Sequence, residues 1–227
     1  MEPEYTRTEL LLGEDALHKL KEKTVLVLGL GGVGSHCTEA LARSGVGHLI
    51  LVDNDVVEAS NINRQSIALH STLGRKKTEV MRERVQDICP TIEVTAKDLF
   101  LLSDTIEEVF EETPDYVVDA IDTVTAKLEA ACWCTEKGIP ILSSMGTGNK
   151  LHGEKFEIAD LSETTVDPLC RIMRKELKAR GVTHLKVLYS KEPPLKTQGR
   201  TPGSIAFVPP VAGLRIAEEV SFDLLRQ

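Results

Sequence analysis

The segment Thr24-Val25-Leu26-Val27-Leu28-Gly29-Leu30-Gly31-Gly32-Val33-Gly34 runs a five-residue, mainly apolar stretch into four closely spaced glycines. A helical pattern follows, with Ala40 and Leu41 as apolar landmarks. A second apolar run, Leu49-Ile50-Leu51-Val52, ends at Asp53. The order is strand, glycine turn, helix, strand, acid, which describes a nucleotide cradle. Glycines let the backbone approach a phosphate, and free N–H groups at the helix N-terminus meet its charge. A carboxylate at the end of the second strand can accept from ribose hydroxyls. The turn alone leaves a dinucleotide and ATP equally open, because dehydrogenases carry such turns too.

Working outward, short apolar runs at 24–28, 48–52, 92–96, 116–120 and 140–144 alternate with helical patterns at 33–44, 74–88, 103–112 and 123–137. This alternation predicts a Rossmann-like, doubly wound α/β fold with a parallel sheet through residue 150. Pro140 is expected to open the last parallel strand, where a missing N–H costs little. Beyond Gly146-Thr147-Gly148 the pattern changes. Residues 156–160 and 185–189 alternate like half-exposed strands, so antiparallel strands should extend the sheet. Asp167-Pro168 opens a helix, with Asp167 as N-cap. Residues 190–204, with Lys191, Pro193, Pro194, Lys196, Gln198, Gly199, Pro202 and Gly203, read as a mobile basic loop. Residues 204–208 then read as a strand and 211–225 as a closing helix. The expected organisation is one domain over 1–227, with a nucleotide-binding half at 1–150 and a substrate-facing half at 151–227.

Composition narrows the class. The 227 residues are 41 % hydrophobic and 27 % charged, as in ordinary globular proteins. No apolar run approaches the ~20 residues that span a bilayer, and the acidic Met1-Glu2-Pro3-Glu4 lacks an apolar signal segment, so secretion is not expected. Five cysteines, an odd count, suggest reduced thiols and a cytoplasmic protein with no membrane partner. The net charge of −8 is uneven, because residues 170–200 hold nine Lys/Arg against Glu176 and Glu192. Arg171, Arg174, Lys175 and Lys178 fall at i, i+3, i+4 and i+7, on one helix face. That zone is either a polyanion-binding surface or a solvated face.

Four features downstream of the glycine turn add phosphate chemistry. They are Asp53-Asn54-Asp55, the run Asn61-Ile62-Asn63-Arg64-Gln65, Lys77 after Gly74-Arg75-Lys76, and Asp122-Thr123 beyond the fourth strand. Strand ends of a doubly wound sheet converge on one crevice, so these residues should meet there. Asp55, Asn61 and Asn63 could instead cap turns. Lys127 could reach a phosphate or cover its helix. His36, His48 and Trp133 read as structural, and Cys170 as either a nucleophile or a packing thiol.

With these residues in view, the chain resembles the ubiquitin-activating-type, or ThiF-type, adenylyltransferases from Tyr5 to the final helix. The resemblance implies that ATP lies on Gly29, Gly31, Gly32, Val33 and Gly34, among Asn54, Asp55, Asn61, Gln65 and Thr123. It further implies that Asp53 holds the ribose, that Arg64 and Lys77 contact phosphates, and that Asp122 binds Mg²⁺. It implies a homodimer in which Arg7 reaches the partner's site; Arg7 has no local motif of its own. Members that act on sulfur carriers usually have two Cys-x-x-Cys pairs for zinc. Here Cys132-Trp133-Cys134 is one residue too close for such a pair, so a structural zinc is not expected.

Arg7-Thr8-Glu9-Leu10-Leu11-Leu12-Gly13, Asp167-Pro168-Leu169 and Phe207-Val208-Pro209-Pro210-Val211-Ala212-Gly213 look like the tRNA threonylcarbamoyladenosine dehydratases. That subgroup implies ATP-dependent activation of a carboxylate on tRNA and then ring closure. Arg171, Arg174, Lys175, Lys178 and the 191–200 loop would meet the RNA backbone. The alternatives are adenylation of a ubiquitin-like sulfur-carrier protein, with a sulfur-transfer partner, an NAD-dependent oxidoreductase, and a non-catalytic adapter.

Overall fold

The computed structural model describes residues 2–197, 199 and 201–227. Two short helices, α1 (Thr6–Leu12) and α2 (Glu14–Lys21), precede β1 (Thr24–Leu28). The chain continues through α3 (Gly34–Ser44), β2 (His48–Val52), α4 (Lys77–Ile88), β3 (Glu93–Lys97) and α5 (Ile106–Val109). It then forms β4 (Tyr116–Asp119), α6 (Val124–Lys137), β5 (Ile141–Ser144), β6 (Phe156–Asp160), α7 (Pro168–Ala179), β7 (Lys186–Ser190) and α8 (Val208–Arg226).

The seven strands form one sheet in the order β3-β2-β1-β4-β5-β7-β6. The chain moves outward from β1 to β2 and β3, returns to β4 beside β1, and then winds the other way. The ends of β1 and β4 therefore flank the reversal, where open α/β sheets bind ligands. Register pairs Leu28 with Val52 on one side and with Asp119 on the other. Residues following all three strands thus emerge at one edge.

Alternation along each strand divides the core. Val25, Val27, Leu49 and Leu51 pack with α3, α4 and α8 on one face, through Leu41, Met81 and Ile216. Leu26, Leu28, Ile50 and Val52 pack with α5 and α6 on the other, through Val109, Ala126 and Ala130. Both faces of the sheet are covered, as parallel strands require. A Cβ on Gly213 of α8 would stand 2.4 Å from the Val33 carbonyl oxygen, so glycine lets α8 cross close against α3. Among the described residues, no helix is long and apolar enough to cross a membrane.

Several expectations need correction. Residues 204–208 form no strand; α8 begins at Val208, with Pro209 and Pro210 in its first turn. Proline fits there because the first N–H groups of a helix have no intrahelical acceptor. The helix expected over 103–112 shortens to Ile106–Val109, and the one expected from 74 starts at Lys77. β5 is not the last parallel strand, since β7 runs parallel to it; among the described strands the antiparallel pair is β6 with β7. Gln198 and Arg200, in the expected basic loop, lie outside the described residues.

Candidate active site

A crevice of about 720 Å³ opens at the strand reversal. Gly29, Gly31, Gly32, Val33, Asp53, Asn54, Asp55, Asn61, Arg64, Gln65, Lys77, Asp122 and Thr123 all line it. Gly34 lies just beneath, at the start of α3. Arg7 is not part of this lining; it is exposed on α1.

The glycine turn is shaped by close approach. Gly29 adopts φ +86°, and a Cβ there would lie 2.9 Å from the Ala120 carbonyl oxygen. A Cβ on Gly34 would overlap the Gly29 carbonyl oxygen at 1.8 Å. Any side chain at either position would push β1 and β4 apart or lift α3 from the sheet.

Asp53 leaves β2 and folds back on the turn. Its Oδ2 accepts from Leu30 N at 2.6 Å, and its Oδ1 accepts from Asp55 N at 2.8 Å. Burial raises its pKa above the ordinary carboxylate value, against the pull of the Lys77 charge and the two N–H donors. A half-buried carboxylate at a strand end can accept from sugar hydroxyls. Beside it, Val52, Leu99, Leu101 and Ile121 supply an apolar slot suited to a flat base.

Lys77 opens α4 with its side chain almost wholly buried and its Nζ 2.7 Å from Asp55 Oδ2. Arg64 Nη1 donates to Ser60 O at 2.9 Å and to Asn63 Oδ1 at 2.8 Å. His36 Nε2 lies 3.1 Å from the Arg64 carbonyl and ties that turn to α3. Burial holds the His36 pKa below its ordinary value. Asn61 closes its turn through Glu58 N → Oδ1 at 3.1 Å. Gln65 is buried, and its Oε1 has no hydrogen-bond partner among the described residues, an acceptor left over at the crevice wall. Two cations and a glycine cradle together fit a polyphosphate.

Asp122 is exposed at the opposite wall, next to Thr123, whose Oγ1 lies 3.4 Å from Asp122 Oδ1. Its turn is held from below. Asp119 Oδ1 accepts from Ile121 N at 3.1 Å, and Asp119 Oδ2 accepts from Lys127 Nζ at 3.0 Å and from Ser143 Oγ. Lys127 is therefore a buried counter-ion to Asp119 rather than a surface cover, and it also lines the crevice. Among the described residues, no three His, Cys, Asp or Glu side chains gather as a metal cage. A single aspartate facing a polyphosphate suits Mg²⁺, which is commonly held by one or two carboxylates and phosphate oxygens.

Outside the crevice, Arg171, Lys175 and Lys178 stand exposed on α7. Arg174 departs from them. Its Nε donates to Leu161 O at 3.0 Å and its Nη2 to Thr164 O at 2.6 Å, so it clamps the turn before α7. Cys170 is buried between α6 and α7, with its pKa pushed up to about 12 by burial and the nearby Asp167. A thiol held protonated at neutral pH is a packing group, because the thiolate is the nucleophile. Sequence reasoning missed the far wall of the crevice, formed by Gly146–Gly148, Thr201–Ser204 and Pro209.

A family model described as the ThiF family matches residues 5–220. The chain belongs to the ThiF family. This ThiF-family chain is 42 % identical to the tRNA threonylcarbamoyladenosine dehydratase of Bacillus subtilis, over 98 % of this chain and 95 % of that protein. It is 38 % identical to the Escherichia coli protein of the same name, over 76 % of this chain and 64 % of that relative's length. It superposes with a TM-score of 0.90 on E. coli tRNA N6-threonylcarbamoyladenosine dehydratase, TcdA, in complex with ATP. That match covers 99 % of this chain and 96 % of the other, at 31 % identity.

Proposed function

We propose that this protein is an ATP-dependent tRNA threonylcarbamoyladenosine dehydratase. It would adenylate the threonyl carboxylate of the modified adenosine and close the ring with release of AMP. The observation that carries the reading is the meeting of Arg64, Lys77 and Asp122 around the Gly29–Gly34 turn in one crevice. Support also comes from the near full-length similarity to the B. subtilis dehydratase.

In this reading the adenine enters the slot at Leu99, Leu101 and Ile121, and Asp53 holds the ribose. Arg64 and Lys77 neutralise the phosphates. Asp122 holds Mg²⁺, which would offset charge on the leaving pyrophosphate. The substrate carboxylate is ionised at neutral pH and needs no general base. Its oxygen attacks the α-phosphorus and pyrophosphate leaves. The adjacent carbamoyl group then attacks the acyl carbon, losing a proton as AMP departs. Neither step requires a cysteine, which agrees with the high pKa of Cys170. Incubation of tRNA carrying the modified adenosine with this protein and ATP should yield a nucleoside lighter by one water, read by mass spectrometry. An unchanged nucleoside together with adenylation of a carrier protein's C-terminal glycine would replace this reading with the sulfur-carrier one.

The tRNA would lie against Arg171, Lys175 and Lys178, and Arg7 of a second copy would complete the site in a homodimer in the cytoplasm. Arg171→Glu, Lys175→Glu and Lys178→Glu together should weaken tRNA binding at least ~10-fold at moderate salt. They should also flatten its salt dependence, since each lost phosphate contact removes roughly 0.7–0.9 from the log–log slope. Unaltered affinity and slope would move the RNA to another face.

A further inference from the structure

The activated carboxylate of an acyl adenylate has two fates. Attack by the carbamoyl group closes the ring. Attack by water on the same acyl carbon also expels AMP, but restores the starting carboxylate, so ATP is consumed for nothing. The chain's own residues must keep water away from that carbon. One stretch of crevice wall, Thr201–Ser204, takes most of its hydrogen bonds from a single residue.

That residue is Asn149. It follows Gly146-Thr147-Gly148, which line the crevice beyond β5, and it adopts the left-handed conformation, φ +58°. Asparagine tolerates this region better than most residues. The conformation turns both its backbone and its side chain onto the facing segment. Asn149 N donates to Gly203 O at 2.8 Å, and Leu195 N donates to Asn149 O at 2.7 Å. Asn149 Oδ1 accepts from Gly203 N at 2.6 Å and from Thr197 Oγ1 at 3.3 Å. Packing adds to the clasp, because a Cβ on Gly148 would stand 2.8 Å from the Pro202 ring. From the phosphate side, Asn63 Nδ2 donates to Ser204 O at 3.0 Å.

The loop bearing Asn149 is itself anchored. Lys150 Nζ lies 2.7 Å from Asp167 Oδ2 and donates to Gly146 O at 2.5 Å. Both charged side chains are at most 2 % exposed. Asp167 Oδ1 at the same time caps α7, accepting from Leu169 N and Cys170 N. The buried pair fixes the loop to the helix, and Asn149 projects from that fixed base across to Thr201–Ser204.

We propose that Asn149 is a positioning residue whose side-chain oxygen seats the Thr201–Ser204 wall over the crevice, so that the acyl adenylate is closed intramolecularly rather than hydrolysed. The consequence for the product rests on the dehydratase reading; the clasp itself does not. Asn149→Gly keeps the left-handed backbone and removes only the side chain. Asn149→Asp keeps the acceptor and tolerates the same φ.

Two measurements on the full chain test this. In hydrogen exchange of the protein alone, peptides covering Gly203 should exchange at least about fivefold faster in Asn149→Gly, the factor for one net hydrogen bond in a local opening equilibrium. Asn149→Asp should exchange within about twofold of the parent on the same scale. With modified tRNA and ATP, AMP released per ring formed should stay near one in the parent and in Asn149→Asp. In Asn149→Gly it should rise about two- to fivefold, by the same factor. A general loss of activity would lower both products together and leave the ratio unmoved. Unchanged exchange in Asn149→Gly, or an Asn149→Asp protein as open as Asn149→Gly, overturns the clasp. Faster exchange with an unchanged ratio overturns its role in excluding water. A parent protein that makes no ring overturns the dehydratase reading instead, and the clasp is still decided by exchange.

Discussion

Replacing Lys77 by alanine should lower the rate of ATP–pyrophosphate exchange by at least ~10²-fold, the scale seen when one preorganised electrostatic contact to a transition state is removed. The ammonium sits on the first residue of α4 with only 6 % of its side chain exposed, so its position is fixed before ligand arrives. Its partner Asp55 is 62 % exposed, and an ion pair with one partner in water contributes little stability. The folded state should therefore survive the substitution, and thermal unfolding serves as the control. In the proposed reaction Lys77 would neutralise charge that develops as pyrophosphate leaves, so the turnover number should fall further than KM rises. Lys77→Arg should not restore the rate, because a planar fork in place of a compact ammonium does not fit the same buried channel. A Lys77→Ala protein that exchanges pyrophosphate at a near-normal rate would remove Lys77 from the chemistry.

The half of the site built on local sequence was legible. A five-residue, mainly apolar run, four glycines and a strand ending in an acid are separate signals that agree, and each is short-range. Asp53 and Asp122 could be placed because residues following adjacent parallel strands must emerge together. What escaped the sequence depends on partners far along the chain. Helical spacing put Arg174 on the basic face with Arg171, Lys175 and Lys178, yet the carbonyls that hold it belong to Leu161 and Thr164 in the preceding turn. Lys127 could not be resolved from its position after Asp122. Its buried anion, Asp119, stands eight residues back at the end of a strand, and Ser143 comes from the next strand. Ser204 to Val208 looked like a strand because Ile205, Phe207 and Val208 favour extended structure. The double proline that follows is a helix-start signal, and it prevailed. The direction of β7 could not be read either, since pairing beside β5 rather than only beside β6 is a property of the whole sheet.

Asp122 offers the second large effect. Asp122→Ala should also reduce adenylation by at least ~10²-fold, and the loss should depend on magnesium in a way that the Lys77 variant's does not. The carboxylate is exposed at the crevice wall, and its contact to Thr123 Oγ1 is a long 3.4 Å. Little structure rests on it. Asp119 carries the turn, through Ile121 N, Lys127 and Ser143. Removing Asp122 should thus leave the turn in place and delete only the carboxylate proposed to hold Mg²⁺. Mg²⁺ bound through one protein carboxylate and phosphate oxygens loses affinity when that carboxylate goes. The half-saturating magnesium concentration should rise, and excess metal should recover part of the rate. In Lys77→Ala extra magnesium should recover almost nothing, because the missing charge is on the protein and not on the ion. Equal magnesium response in the two variants would separate Asp122 from the metal, and an Asp122→Ala protein of near-parental rate would separate it from the reaction altogether.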